Sequence, residues 1–149
     1  MRTSSPPCIP QSPNNNEHTW ANFEDYGRSL VTGLGDEIYV IMGTYGTGGT
    51  GSGASATTID GGKVVVPAHI WKIYVVIPNG NGDLNRITAT TRVIAIDTPN
   101  NNTLSSDWTQ FITTPAAIEA ATGYTFFSAL PASVRAALRV EKDSGTGTI

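Results

Sequence analysis

The chain has 149 residues, of which 39% are apolar and 14% are charged, and its formal net charge is −3. Globular domains usually carry about 25% charged residues, so Thr, Ser, Asn and Gly must cover much of this surface. The length suits one domain with a real core, and the composition excludes collagen, coiled-coil and membrane proteins. The negative charge also provides no overall positive field that would attract nucleic acid from a distance.

The N-terminal segment has no structural periodicity. Residues 1–15 contain four prolines, so we expect an irregular arm. Cys8 is the single cysteine and has no partner for an internal disulfide. No apolar signal segment follows Met1. Two interpretations remain: a cytoplasmic protein, or a chain whose natural N-terminus lies further upstream.

Helical periodicity begins after this arm and predicts a helix over 16–33. An asparagine at one of positions 14–16 is expected to cap its start, and the glycines at positions 33 and 35 to end it. One face of the helix is apolar within an arc of about 100°, as a core-facing helix requires. The residues of this stripe are Trp20, Phe23, Gly27, Leu30, Val31 and Leu34.

The middle of the chain is rich in strand-forming residues. We expect a buried strand at 37–42, a short strand at 63–67, a strong strand at 71–77 and a β-rich run at 86–96. The glycine-rich stretch 43–53 contains G-x-G-x-x-G after a strand. No helix signal follows it and it has no Lys-Ser/Thr, so it predicts a flexible connection rather than a nucleotide site.

Two short helices are expected near the C-terminus, from Pro115 to Thr122, ended by Gly123, and from Pro131 to Glu141. A helix, a block of strands and two small helices predict an α+β fold with an antiparallel sheet. We expect the domain to occupy 16–142 and residues 143–149 to form a frayed tail.

The first helix also carries candidate chemistry. On a helical wheel Asn16 falls inside the apolar arc, while Glu24 and Arg28 lie along its margin. The structural interpretation is an ordinary Glu24–Arg28 surface ion pair with Asn16 as a cap. The functional interpretation is a line of polar groups facing a semi-buried cleft. A carboxamide oxygen, a carboxylate and a guanidinium together suit hydrated Mg²⁺ and a phosphate.

The two histidines do not point to a metal cluster. His69 lies between strand segments and is expected to be a hydrogen-bonded structural residue, while His18 falls on the polar side of the helix and is expected to be solvated. With one cysteine and two distant histidines, no zinc ligand set is apparent.

Several motifs together resemble the DNA/RNA non-specific endonucleases, which are ββα-metal nucleases that cut single- and double-stranded nucleic acid. Pro10-Gln11 precedes an N-x-x-x-W-x-x-x-E-x-x-x-R pattern that begins at Asn16. A "VPxxxWK" strand at 66–72 and an "IE-x-x-TG-x-x-FF" segment at 118–127 follow in the order that the family shows. The resemblance extends over about residues 9–140.

The resemblance implies roles for the helix residues. Asn16 would be the direct protein ligand of Mg²⁺ (or Mn²⁺), Glu24 would order metal-bound water, and Arg28 would support the scissile phosphate. DNA and RNA would be the substrates, and a secreted or periplasmic location would be typical. The family's general base is a histidine in a D-R-G-H motif upstream of the metal-binding asparagine, and this sequence has no such motif.

We therefore expect the chain to be the C-terminal part of such an enzyme. It would lack the general base, neighbouring phosphate-binding arginines and at least one core strand, and its activity by itself would be absent or weak. Two other hypotheses remain open at this point. One is a non-catalytic metal- or nucleic-acid-binding remnant, which would bind DNA in a salt-sensitive way without cutting it. The other is a secreted structural β domain with no role toward nucleic acid.

Overall fold

The computed structural model describes residues 9–146. A helical segment leads into a four-stranded sheet that two further helices cover from the other side. The helices are α1 Ala21–Leu34, α2 Asp83–Arg86, α3 Pro115–Thr122 and α4 Ala132–Val140, with a π-helical turn at Asn15–Trp20 and 3₁₀ turns at Asp60–Gly62 and Trp108–Phe111. The strands are β1 Asp36–Tyr45, β2 Gly49–Thr50, β3 Ser55–Ala56, β4 Thr58–Ile59, β5 Val64–Val65, β6 His69–Pro78, β7 Arg92–Pro99 and β8 Ile112–Thr113.

The main sheet runs in the order β1-β6-β7-β8, and every pairing in it is antiparallel. The predicted α+β fold with an antiparallel sheet is therefore confirmed. β6 is the central long strand because its near-continuous apolar sequence suits burial on both faces. Its alternate residues face two separate cores, one under α1 and one under α3 and α4.

The first core is formed mainly by residues of the π turn, α1, β6 and β7. Trp20, Phe23 and Leu30 pack against Ile70 and Tyr74, so most of the predicted stripe is buried. Val31 and Leu34 of the stripe are exposed. The helix ends where Gly35 adopts the left-handed conformation, as the sequence predicted.

The predicted asparagine cap is wrong. Asn14 precedes the π turn, yet its side chain makes no capping hydrogen bond and instead donates to the Leu104 carbonyl oxygen at 2.9 Å. Asn15 is buried and donates to Thr98 Oγ1 at 3.0 Å. These amides attach the start of the helix to β7 and to the loop that follows it. Local sequence does not reveal such distant contacts.

β1 is an edge strand rather than the buried strand expected at 37–42. It pairs only with β6, and Tyr39, Val40 and Met42 are exposed. An apolar sequence does not distinguish an edge strand from a central one, because that difference depends on the neighbours that the fold supplies.

Two other segments differ from expectation. The run 86–96 begins with the end of α2 and a turn, and becomes a strand only at Arg92. The glycine-rich stretch completes β1 and then forms the small β2–β3 ladder, with no helix directly after it. Strand formers such as Ile87 and Thr88 therefore lie in a connection, where tertiary pairing overrides their local preference.

In the described part of the C-terminal tail, Asp143 is joined to β7 by an ion pair, and the fraying expected over 143–149 stays a prediction. Asp143 accepts hydrogen bonds from Arg92 Nε and Nη2 at 2.7 and 2.9 Å, and its side chain is buried. Residues 147–149 and Cys8, like most of the predicted arm, lie outside the described residues. Over 9–146, no helix has both the length and the apolar character that a membrane crossing requires.

Candidate metal and phosphate site on the first helix

A π-helical turn begins the helix that carries the predicted site. Its i→i+5 hydrogen bonds wind the chain by fewer degrees per residue than an α-helix, so α-helical wheel angles do not apply to Asn16. Thr19 Oγ1 donates to the Ser105 carbonyl oxygen at 2.6 Å and, with buried Asn15, fixes the turn to the body of the domain. Such turns occur often at functional sites.

Asn16 is exposed, whereas the sequence placed it inside the apolar arc. Its backbone N–H donates to the Ser12 carbonyl oxygen at 3.0 Å, which holds the main chain in place. Among residues 9–146 its carboxamide has no hydrogen-bond partner. The amide oxygen is therefore free to meet a ligand, and the inward-facing amide of this turn belongs to Asn15.

Glu24 is held by a buried lysine from the sheet. Lys72 Nζ lies 2.7 Å from Glu24 Oε1, and the two side chains are 3% and 41% exposed. The same ammonium lies 4.1 Å from the centroid of the Trp20 ring, within cation–π distance. Burial lowers the pKa of Lys72, and the hydrogen bond to Glu24 opposes that change.

Arg28 pairs with a different carboxylate. Its Nη2 lies 2.5 Å from Asp25 Oδ1, one turn earlier on the helix, and both side chains are about two-thirds exposed. Asp25 raises the pKa of the Arg28 guanidinium. The Glu24–Arg28 ion pair of the structural interpretation does not form, because each residue has a nearer partner of opposite charge. Arg28 remains accessible to a ligand from solvent.

Glu24 and Arg28 line one open cleft between α1 and β1. Its volume is about 480 Å³, and Lys72 and Tyr74 of β6 also line it. Burial raises the pKa of the Tyr74 phenol, which is therefore neutral at physiological pH. Apolar side chains of α1 and β1 complete the walls: Val31, Ile38, Val40 and Met42. Asn16 lies on the same helical segment but does not line this cleft.

Neither histidine joins this arrangement. His69 alternates with Ile70 and Lys72 along β6 and therefore faces the α3–α4 side of the sheet, away from α1. Its Nδ1 lies 3.0 Å from Asp97 Oδ1, and its ring stacks on Tyr45. His69 is thus hydrogen-bonded, as predicted for a structural residue. His18 is exposed on the π turn, as expected.

Lys72 is the residue of the site to which the sequence analysis gave no role, although the "VPxxxWK" motif contains it. The alternation of side chains between the two faces of this strand could have indicated a role for Lys72. Lys72 shares a face with Ile70 and Tyr74 in a strand that is apolar from Ile70 onward apart from Lys72 itself. A lysine on an inward face needs a partner, because burying an unpaired charge is costly.

The chemistry of these side chains fits a hydrated magnesium or manganese ion. Mg²⁺ keeps several of its waters and takes only one or two protein oxygens. The part of the chain described by the structure contains no group of three or more His, Cys, Asp or Glu residues that would enclose an ion. Asn16 offers an exposed amide oxygen, and the partly exposed Glu24 offers a carboxylate for water molecules.

Comparison with known proteins relates the chain to a protein family. The family model for DNA/RNA non-specific endonuclease matches residues 7–133. A curated protein named "Nuclease", from Nostoc sp. (strain PCC 7120), is 38% identical over 136 residues. That match covers 91% of this chain and 46% of the relative.

A solved structure of the EndoG/EndoGI complex, described as showing the mechanism of EndoG inhibition, has a similar fold. The TM-score is 0.58 at 21% sequence identity, and the match covers 83% of this chain and 49% of the other. The α+β architecture is therefore shared with that structure. The chain spans about half the length of each of these two proteins.

Proposed function

The chain belongs to the DNA/RNA non-specific endonuclease family, and on that premise we propose that it carries the metal-binding part of a site for phosphodiester hydrolysis in DNA and RNA. Asn16 binds one divalent ion, Mg²⁺ or Mn²⁺, through its amide oxygen. Glu24 holds water of that ion by hydrogen bonding, and Arg28 binds the scissile phosphate. When bound, the ion supplies Lewis-acid stabilisation of charge at the phosphate.

The proposal rests on the contact and the exposure of the Glu24 side chain. One oxygen of its carboxylate is fixed by a buried ammonium, while the side chain keeps 41% exposure along an open cleft. A merely structural surface pair would join Glu24 to Arg28, yet Arg28 pairs with Asp25 in solvent. A guanidinium in this setting can exchange Asp25 for a phosphate, which it can bind through two parallel hydrogen bonds.

We also propose that the described residues do not supply the general base. The sequence has no D-R-G-H motif, His18 is exposed on the π turn, and His69 faces the opposite side of the sheet. General-base catalysis contributes about 10²- to 10⁴-fold to a rate. We therefore expect cleavage by residues 1–149 alone to be absent or very slow.

Divalent-ion binding tests the metal part of this proposal. Free Mn²⁺ is measured by electron paramagnetic resonance during titration of the purified chain. Asn16→Ala is expected to abolish specific binding without changing thermal stability, whereas Asn85→Ala, an exposed asparagine elsewhere, changes neither. Equal Mn²⁺ binding by Asn16→Ala and the wild type would contradict the assignment and favour a structural domain.

Plasmid digestion with Mg²⁺ tests the catalytic part. We expect little or no cleavage by the wild-type chain. Robust cleavage that disappears in Asn16→Ala would show that a base is present after all. Salt-sensitive DNA binding with no cleavage under any condition, even after addition of a D-R-G-H segment, would instead support a non-catalytic binding protein.

A further inference from the structure

Trp20 and Lys72 come from two separate motifs of the sequence and meet beside Glu24. Trp20 lies one turn before Glu24 in the N-x-x-x-W-x-x-x-E pattern, and Lys72 ends "VPxxxWK". The Lys72 ammonium lies 4.1 Å from the Trp20 ring centroid and 2.7 Å from Glu24 Oε1. A contact between residues 48 positions apart thus joins the helix motif to the strand motif.

The environment of Lys72 restricts where its ammonium can lie. The residue is 2% exposed, and its stem runs between Ile70 and Tyr74 on the face under α1. A buried ammonium must keep its partner, because leaving the charge unpaired is strongly unfavourable. The ring of Trp20 stabilises the cation from one side without accepting its proton. Glu24 is the one carboxylate within salt-bridge distance of Lys72 in the described chain.

We propose that Lys72, supported by Trp20, is a positioning residue that fixes Glu24 in one orientation toward the cleft. Oε1 of Glu24 accepts the hydrogen bond from the ammonium, and Oε2 has no hydrogen-bond partner among the described side chains. The free oxygen is therefore the one that meets metal-bound water. This role rests on the function proposed above, because a carboxylate fixed in this way matters only if it orders water or substrate.

The orientation of Glu24 is tested directly by nuclear magnetic resonance, without any metal. Three-bond couplings and side-chain relaxation report whether Glu24 occupies a single rotamer. We expect one rotamer in the wild type, averaging among rotamers in Lys72→Met, and partial recovery in Lys72→Arg, which keeps the charge. Lys63→Met is the matched control, because Lys63 is exposed in a turn. Equal order of Glu24 in wild type and Lys72→Met would overturn the proposal.

A measurement on the wild type covers the case in which Lys72→Met does not fold. The Lys72 ammonium protons should exchange slowly with water and show cross-relaxation with protons of the Trp20 ring. Rapid exchange together with absence of that cross-relaxation would overturn the proposal. Neither observation requires a variant or an ion.

Mn²⁺ affinity separates this proposal from the proposed function. Loss of a residue that orients a metal site commonly weakens metal binding by about 10- to 100-fold. We expect an increase of the Mn²⁺ Kd in that range for Lys72→Met and none for Lys63→Met. If Asn16→Ala abolishes binding while Lys72→Met leaves the Kd unchanged, the positioning role alone fails. If the wild type binds no Mn²⁺, the proposed function fails, and the orientation of Glu24 still decides the role of Lys72.

Discussion

Gly27 packs directly on the ring of Tyr74. A β-carbon at position 27 would lie 2.8 Å from Tyr74 Cε2, closer than real contacts allow. The ring cannot easily yield, because it stacks on Phe23 with the ring centroids 4.3 Å apart. The absence of a side chain at Gly27 therefore brings α1 close enough to β6 for Glu24 to reach Lys72.

Gly27→Ala is accordingly expected to destabilise the domain, although Ala usually stabilises a helix interior by about 1 kcal/mol relative to Gly. Overpacking at such a contact typically costs about 1–3 kcal/mol. Urea unfolding followed by circular dichroism measures the change in the free energy of unfolding. Gly33→Ala, in the exposed last turn of the same helix, is the control and should be neutral or stabilising. A stabilised Gly27→Ala variant would contradict the close packing.

Removing Glu24 and removing Lys72, each alone, should lower the free energy of unfolding by unequal amounts. Glu24→Ala leaves a buried ammonium without a carboxylate, and loss of one partner of a buried pair costs about 3–5 kcal/mol. Lys72→Met leaves a carboxylate that is 41% exposed and can be hydrated, so we expect a loss of about 1 kcal/mol or less.

A double-mutant cycle on the free energy of unfolding checks this inequality. The Glu24→Ala/Lys72→Met variant should be more stable than Glu24→Ala alone, because no unpaired charge remains in the core. Equal losses for the two single variants, with no coupling between them, would mean that the lysine is solvated in solution.

Local signals in the sequence were sufficient for several elements. Pro115 at the first position and Gly123 after the last turn predicted the bounds of α3, because each residue restricts the backbone where a helix begins or ends. The apolar run of β6 predicted the central strand. The motif of the first helix predicted Asn16, Glu24 and Arg28 as site residues, and this assignment stays a prediction.

Contacts between distant parts of the chain were not predictable in the same way. The partner of Glu24 lies on another strand, and the edge position of β1 depends on which strands pair with it. The π turn is also set by remote contacts, through Asn15 and Thr98. Periodicity describes which side of an element is apolar, and it contains no information about which other element that side meets.

Asn100, directly after the end of β7, connects three segments of the chain. Its Nδ2 donates to the carbonyl oxygens of Pro10 and Pro67, both at 2.9 Å, and its Oδ1 accepts from the Ser12 N–H at 2.8 Å. The side chain is almost completely buried. These bonds hold the segment that leads into the π turn and Asn16.

Asn100→Ala should therefore lower the free energy of unfolding by about 3 kcal/mol, since three hydrogen bonds of about 1 kcal/mol each are lost. Thermal and urea unfolding measure this change. Asn81→Ala, in an exposed turn, serves as the control and should be neutral. If Mn²⁺ binding depends on the fixed π turn, Asn100→Ala should also weaken it in protein that remains folded. A stability loss well below 1 kcal/mol would show that water replaces these contacts.

Glu141 lies at the C-terminal end of α4, and its contribution to stability should depend on pH. Burial raises the pKa of its carboxyl above the usual 4.5, and Asp143 adds to this effect. A raised pKa in the folded state means that the group favours folding below pH 4.5 and loses this contribution as the pH rises through the raised value.

Glu141→Gln keeps an acceptor for the Val93 N–H and has no charge to bury. At pH 7 we expect Glu141→Gln to be more stable than the wild type, and the difference to decrease as the pH falls from the raised pKa toward 4.5, where the wild-type carboxyl becomes protonated. Urea unfolding of both proteins between pH 4 and pH 7 measures the difference, and a constant value over this range would contradict the prediction.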